Sequence, residues 1–259
     1  MTAGNLLIFG ILPMPSLREN GIPADDPIYL TAHRGAKSQA PDNTMPAYQI
    51  AIDKGFYAVE TDVHLTKDGV WVISHNDNLK KWYGADVEIK DATYAELLRY
   101  RVIGGKGFLK YGTLRIPTLE QYLDLFVGKA SRPQIEIKTG SDYTGIDEIL
   151  RMVRDRSLQQ QVMIISFDLG QLQYIRSLDA DMELWYLCGE ITDEVLADAG
   201  TIGGNVWISC SYEENSIETM QNAQKAGFPV SMWTVDSVKE AKKLYDAGFR
   251  YMETDRLAP

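Results

Sequence analysis

Residues 58–75 read Ala58-Val59-Glu60-Thr61-Asp62-Val63-His64-Leu65-Thr66-Lys67-Asp68-Gly69-Val70-Trp71-Val72-Ile73-Ser74-His75, two β-type runs joined by a tight-turn signal. Side chains alternate along a strand, so Glu60 and Asp62 point to one face. The four residues Thr66-Lys67-Asp68-Gly69 are too few for a parallel crossover, so the run from Val70 to His75 folds back as an antiparallel hairpin. In a pair centred on that turn the position numbers sum to about 135, which sets His75 opposite Glu60 within one residue. The hairpin returns a histidine to two carboxylates without using up a parallel strand.

Outward from this hairpin, β-rich runs recur at 28–33, 58–63, 134–138, 162–167, 183–187, 206–209, 230–235 and 250–254. Helical patterns lie between them at 44–54, 119–126, 146–156, 169–177, 192–199, 217–225 and 238–247, several closing at glycine as helices do. These eight βα-like units, with no linker or repeat, predict an α/β fold, a (β/α)8 TIM barrel with a β-hairpin after the second strand. Chemistry in such a barrel sits at the carboxyl ends of its strands. Residues 78–115 break the rhythm and are expected as an insertion over the barrel mouth, helix-like at 91–100 and glycine-rich at 103–112. Residues 1–27, with prolines 13, 15, 23 and 27, form a leader or a segment packing on the barrel, leaving 28–259 as a single domain.

At 259 residues and 45% hydrophobic the chain can bury one sizeable core. A net charge of −10, with no cluster of Lys and Arg, argues against a nucleic-acid partner or an adsorbing membrane face. It does not argue against a phosphate held in a cleft by a few cations and a metal. Cys188 and Cys210 have neither CxxC nor metal-ligand spacing and are expected as buried free thiols. The apolar run from Leu6 to Leu12 is too short to span a bilayer and follows no basic residue, so the expectation is a cytoplasmic protein without stable membrane insertion. A removed targeting segment and the oligomeric state stay open.

Polar residues gather at the strand ends. Glu60, Asp62 and Glu136 are oxygen ligands suited to one hard divalent ion, Mg2+ or Ca2+; the competing reading pairs them with Arg34 and Lys138 as barrel salt bridges. His33 and His75 supply one group to take a proton and one to give it near neutral pH. Arg34 and Lys138 suit the oxygens of a phosphoryl group. Arg34, next to His33, points to the other face of a regular strand and reaches the site only if the chain bends at Gly35. His64 shares the parity of Asp62 but lies nearer the hairpin tip, where a rim or solvent position is expected. Phe167, Trp185 and Trp233 are candidates for a pocket wall, with a barrel-core position as the equal alternative. Trp82 and Tyr83 line an entrance or anchor the insertion.

The motifs His33-Arg34-Gly35, Pro41-Asp42-Asn43-Thr44, Glu60-Thr61-Asp62-Val63, Thr66-Lys67-Asp68-Gly69 and His75 occur in this order, followed by Ile116-Pro117-Thr118-Leu119-Glu120, Glu136-Ile137-Lys138, Ser166-Phe167, Trp233-Thr234-Val235-Asp236 and Thr254-Asp255. Over residues 28–257 the chain thereby resembles the glycerophosphodiester phosphodiesterase family. The resemblance implies a metal-dependent barrel hydrolase that cleaves small glycerophosphodiesters to an alcohol and sn-glycerol 3-phosphate. By motif it implies His33 and His75 as the acid/base pair, Glu60, Asp62 and Glu136 as ligands of one divalent metal, and Arg34 and Lys138 as phosphate holders. Asp42 and Asn43 join the pocket candidates. The nucleophile is water or a neighbouring glycerol hydroxyl, the latter giving a cyclic phosphate.

Two positions depart from the family pattern. Asp42 stands where the family has Glu, so its contact to Arg34 or the metal shell is expected to be lost or water-bridged. Asn76 stands where it has Asp, which removes a charge that would raise the His75 pKa and shifts the expected pH optimum downwards. The rivals are a phospholipase-type barrel acting on intact phosphoinositide or sphingolipid, and a noncatalytic phosphodiester-binding barrel that would need no proton-transfer pair.

Overall fold

The computed structural model describes residues 13–138 and 143–259. In it β1 (Tyr29–Ala32) lies parallel to β2 (Ala58–Leu65), which turns back into the antiparallel β3 (Trp71–Ile73). The turn is built as its residues predict: Thr66 Oγ1 donates to Asp68 Oδ1 at 2.7 Å and accepts the Val70 N–H at 2.9 Å. Val63 sits opposite Ile73 and Leu65 opposite Trp71. That register is one position from the expected one, so His75 returns level with Thr61 rather than Glu60.

β4 (Arg132–Ile137) pairs with the other side of β2, and β5 (Met163–Ser166), β6 (Glu183–Cys188), β7 (Val206–Ser211), β8 (Val230–Trp233) and β9 (Tyr251–Thr254) follow in parallel order. β9 pairs with β1, closing an eight-stranded parallel barrel. The α-helices of the described residues are α1 (Met45–Asp53), α2 (Lys80–Tyr83), α3 (Tyr94–Leu97), α4 (Leu119–Asp124), α5 (Ile146–Asp155), α6 (Leu169–Leu178), α7 (Asp193–Ile202), α8 (Ile217–Lys225) and α9 (Val238–Asp246). Thr118, Asp168, Thr192 and Ser216 start their helices by accepting a backbone N–H three residues on, each such cap contributing about 1 kcal/mol. Each long helix lays an apolar stripe on the barrel, as α5 does with Ile149, Leu150 and Val153.

Inside the barrel, parity sets which residues meet. At the strand starts Tyr29, Tyr57, Trp185, Trp207 and Tyr251 stack into an aromatic plug, braced by the Arg132–Glu183 ion pair at 2.8 Å. Trp185 is part of this plug, not of a pocket wall. Its indole N–H turns towards the strand start and donates to Glu183 Oε1 at 2.9 Å, and its ring stacks on Trp207 at 4.8 Å. The opposite end, where the strands finish, carries the acids and histidines.

The 78–115 segment has a small core of its own, with Leu79, Tyr83, Ile89, Leu97 and Val102 buried against Val72 and Ile116. The helix expected at 91–100 shortens to α3. Thr93 and Glu96 form a capping box that starts it, but the chain then turns so that the Val102 N–H can reach Leu114 O at 2.9 Å. Tyr83 anchors the insertion, and Trp82 and Tyr83 together wall a small recess against Pro41, Asp42 and His75. At the other end of the molecule, Leu17 and Ile22 are buried and the Leu17 N–H donates to Ala258 O at 3.1 Å, so this part of the leader packs on the barrel. The Leu6 to Leu12 run lies outside the described residues. Among those described, no helix is long and apolar enough to cross a membrane, and Cys188 and Cys210 are buried free thiols.

Candidate active site

β1 ends at Ala32, and the bend expected at Gly35 starts one residue earlier: Arg34 has φ +59° and Gly35 φ +78°. Only glycine fits the second position, since a Cβ there would stand 2.8 Å from the Ala47 carbonyl carbon. The bend turns Arg34 towards the acids of β2. Its backbone N–H donates to Glu60 Oε2 at 2.7 Å, and its Nε lies 3.4 Å from Asp62 Oδ2. The contact of Asp42 with Arg34, expected to be lost or water-bridged, stands at 4.0 Å, the far edge of an ion pair. Asn43 donates from Nδ2 to Asp62 Oδ2 at 2.7 Å and is itself held by the Tyr48 hydroxyl at 2.8 Å, so it positions a carboxylate while also lining the recess walled by Trp82 and Tyr83.

Glu60, Asp62 and Glu136 converge with ligand atoms all within 4.8 Å of one another. The β2–β4 register causes this, because Asp62 pairs with Glu136 and Glu60 with Gln134. Lys138 Nζ lies 2.7 Å from Glu136 Oε1 and 3.3 Å from Asp62 Oδ1. Burial alone would raise the Asp62 carboxyl, but Lys138 and Arg34 pull it down to about 2. The others are less well compensated. Burial, then Asp62 and Glu253, push Glu60 far above the usual carboxylate range, and burial with Asp62 raises Glu136 to about 7. Glu60 Oε1 is buried without a hydrogen-bond partner. An excess of buried carboxylates with an orphaned oxygen fits a hard divalent cation, whose charge would let these acids ionise together.

His33 Nδ1 sits 2.7 Å from Asp255 Oδ1, and Asp255 is held in turn by Lys37 Nζ at 2.5 Å. Its Nε2 lies 3.7 Å from Glu253 Oε1. Burial lowers the His33 pKa against the pull of Asp255. His75 is pushed down to about 4 by burial, with Arg34 and Lys138 adding to it and Asp62 and Asn76 only partly opposing. His64 is 6% exposed, so of the expected rim or solvent positions the solvent one fails, while the residue does border the larger groove.

Two cavities open here. A groove of about 580 Å³ is lined by His64, His75, Asp77, Lys138, Phe167 and Asp168, among others. A cavity of about 250 Å³ is lined by His33, Arg34, Ile165, Leu187, Trp233 and Glu253. His75, Glu136, Lys138 and Phe167 border both. Trp233 and Phe167 therefore stand at the pocket as wall residues, their rings edge to face with centroids 6.1 Å apart. A region with two histidines, two cations and a candidate cation site can transfer protons and hold an anion that is gaining charge.

Sequence reasoning assigned no role to Glu253, Asp255 or Lys37. Glu253 is 5% exposed, and burial together with Glu136 and Asp62 raises it to about 8. With His33 and Glu60 it forms a second group whose ligand atoms lie within 4.8 Å. The available signal was parity: Glu253 and Asp255 share a face at the end of the last strand. Lys37 carried no such signal, since it lies in the irregular stretch after Gly35.

A model of the glycerophosphoryl diester phosphodiesterase family matches residues 33–258. A glycerophosphodiester phosphodiesterase from Caldanaerobacter subterraneus subsp. tengcongensis is 29% identical over 229 residues, covering 86% of this chain and 92% of the relative. Among solved structures, a glycerophosphodiester phosphodiesterase from Parabacteroides distasonis superposes with TM-score 0.75 at 25% identity, covering 89% of this chain and 93% of that one. An Oleispira antarctica phosphodiesterase, solved with its product sn-glycerol-3-phosphate, shares the fold with TM-score 0.81 at 23% identity, over 88% of this chain and 93% of the other.

Proposed function

The chain belongs to the glycerophosphoryl diester phosphodiesterase family, and from that premise we propose that it hydrolyses small glycerophosphodiesters to an alcohol and sn-glycerol 3-phosphate, using His33 and His75 as its acid/base pair. The observation that carries this reading is the meeting of two cavities at His75, Glu136, Lys138 and Phe167, with His33 lining the smaller. A phosphodiester at that junction has one ester arm in each cavity.

Lys138 and Arg34 hold the nonbridging phosphoryl oxygens and neutralise the charge that grows on them. Asp255 accepts a hydrogen bond from the Nδ1–H of His33 and so fixes the tautomer, leaving the Nε2 lone pair to remove a proton from the attacking hydroxyl, that of water or of the glycerol arm. His75, bordering the larger groove, protonates the departing alkoxide. Its low pKa in the free protein rises once a phosphodiester anion binds beside it, because a nearby negative charge favours the imidazolium. Glu60, Asp62 and Glu136 would hold one Mg2+ or Ca2+, which when bound supplies Lewis-acid polarisation of a phosphoryl oxygen.

The test is release of sn-glycerol 3-phosphate from a panel of soluble glycerophosphodiesters, with and without EDTA. Release that EDTA stops and Mg2+ or Ca2+ restores is the expected result. Failure on every member of the panel by metal-loaded protein would refute the reading. A cytoplasmic location belongs to the same proposal, and cell fractionation checks it.

A further inference from the structure

The larger groove has a chemical character of its own. Beyond the shared junction its charged side chains among the described residues are Asp77 and Asp168, both acidic. Lys138, the cation it borders, is already engaged by Glu136 at 2.7 Å and Asp62 at 3.3 Å. Asp77 is exposed and forms no ion pair among the described residues. Asp168 Oδ1 accepts the Gln171 N–H at 2.9 Å, which caps α6 and offsets the positive end of that helix. Phe167, at the junction and next to Asp168 in the chain, is 53% exposed, with its edge-to-face contact to Trp233 fixing its orientation.

Two carboxylates and a solvent-facing aromatic ring make a surface that attracts an ammonium group by charge and by the ring quadrupole. The smaller cavity, walled by Ile165, Leu187 and Trp233 beside Arg34, suits the compact glycerol arm. The larger groove is then left for the departing alcohol. We infer that the enzyme selects glycerophosphodiesters with a cationic head group, of the choline and ethanolamine class, through Asp77, Asp168 and Phe167; this rests on the function proposed above. Neutral polyol head groups gain nothing from these acids, and anionic ones are repelled.

The experiment compares kcat/KM for glycerophosphocholine, glycerophosphoethanolamine, glycerophosphoglycerol and glycerophosphoinositol in the metal-loaded wild type and in D77N, D168N and the double variant. Asn keeps the volume at both sites and still caps a helix at position 168. Combining an exposed ion pair with a cation–π contact, the wild type should favour the two cationic substrates by about tenfold, and the double variant should lose most of that ratio. Choline should inhibit the wild type more strongly than its uncharged carbon isostere, and less so as salt is raised. Equal kcat/KM across the four substrates in the wild type overturns the inference alone, as does a parallel loss on all four in the double variant. Hydrolysis of none of them overturns the proposed function and takes this inference with it.

Discussion

His33 and Asp255 stand 222 positions apart in the chain and 2.7 Å apart in space, Nδ1 to Oδ1. The closure of the barrel makes the contact, since β9 pairs with β1 and sets Thr254 beside Ala32. Lys37 Nζ is 3.2 Å from the same nitrogen and 2.5 Å from Asp255 Oδ1. The shorter approach to the carboxylate assigns the Nδ1 proton to the Asp255 bond, with Lys37 neutralising that carboxylate. An uncommitted Nε2 lone pair faces the smaller cavity.

Asp255→Asn should therefore impair proton transfer more than binding. The amide keeps the shape of the carboxylate but no longer favours one imidazole tautomer or the imidazolium that forms during the reaction. Steady-state kinetics should show kcat down by about 10²-fold or more with KM little changed, while circular dichroism and metal content match the wild type. A variant with wild-type kcat would mean that Asp255 does not orient His33.

His75→Ala should reveal itself through the leaving group. If His75 protonates the departing alkoxide, the variant should lose roughly 10²–10⁴-fold in kcat on an alkyl diester. On a glycerophospho-nitrophenyl diester, whose phenolate leaves without help, the loss should nearly vanish. His33→Ala should be damaged on both substrates. Equal losses for His75→Ala on the two would rule out its role as the acid.

Much of this arrangement was legible before any coordinates. The Thr66-Lys67-Asp68-Gly69 turn fixed the direction of β3 because four residues permit only a reversal, and alternation put Glu60 and Asp62 on one face. Depth along a strand was less legible. Trp185 takes the barrel-core position that stood as the equal alternative, and which end of the barrel its indole reaches depends on neighbours such as Glu183 and Trp207, brought to it by side-chain orientation and strand pairing. Glu253 illustrates a second limit. A single acid in Tyr251-Met252-Glu253-Thr254 says little until β9 is known to lie against β1, with Glu253 beside Thr31.

The metal-free protein should lose stability as pH rises from 6.5 to 8. Burial and neighbouring acids raise Glu136 from 4.5 to about 7 and Glu253 from 4.5 to about 8. The folded state thus binds their protons more tightly; that stability is complete below pH 4.5 and is lost as pH climbs through the folded values. His75, lowered from 6.5 to about 4, acts oppositely: its contribution is present above 6.5 and lost as pH falls through about 4. The two effects compete below pH 6.5, leaving the acids alone above it. Calorimetry on EDTA-treated protein should show Tm falling between pH 6.5 and 8, and saturating Mg2+ or Ca2+ should remove the fall while releasing protons on binding. A flat metal-free profile would refute the account.

Gly35→Ala tests whether the bend after β1 places Arg34 at the acids. At φ +78° a Cβ is strained in any surroundings, and here it would meet the Ala47 carbonyl carbon and Cβ at 2.8 Å. Backbone atoms of α1 cannot rotate away as a side-chain tip would, so the helix or the loop must move. Either movement disturbs the Arg34 N–H to Glu60 bond at 2.7 Å and the Arg34–Asp62 pair at 3.4 Å. The variant should be destabilised by more than about 1 kcal/mol, measured by urea unfolding. Its KM for the phosphodiester should rise and its cation affinity should fall together, because Arg34 and Glu60 are displaced as one unit. Gly55→Ala is the control: it has φ +75° but nothing within 4 Å of its Cβ, so it carries the backbone strain without the collision. If both variants lose similar stability and neither changes KM, the bend at Gly35 is a matter of backbone conformation alone and Arg34 is held by something else.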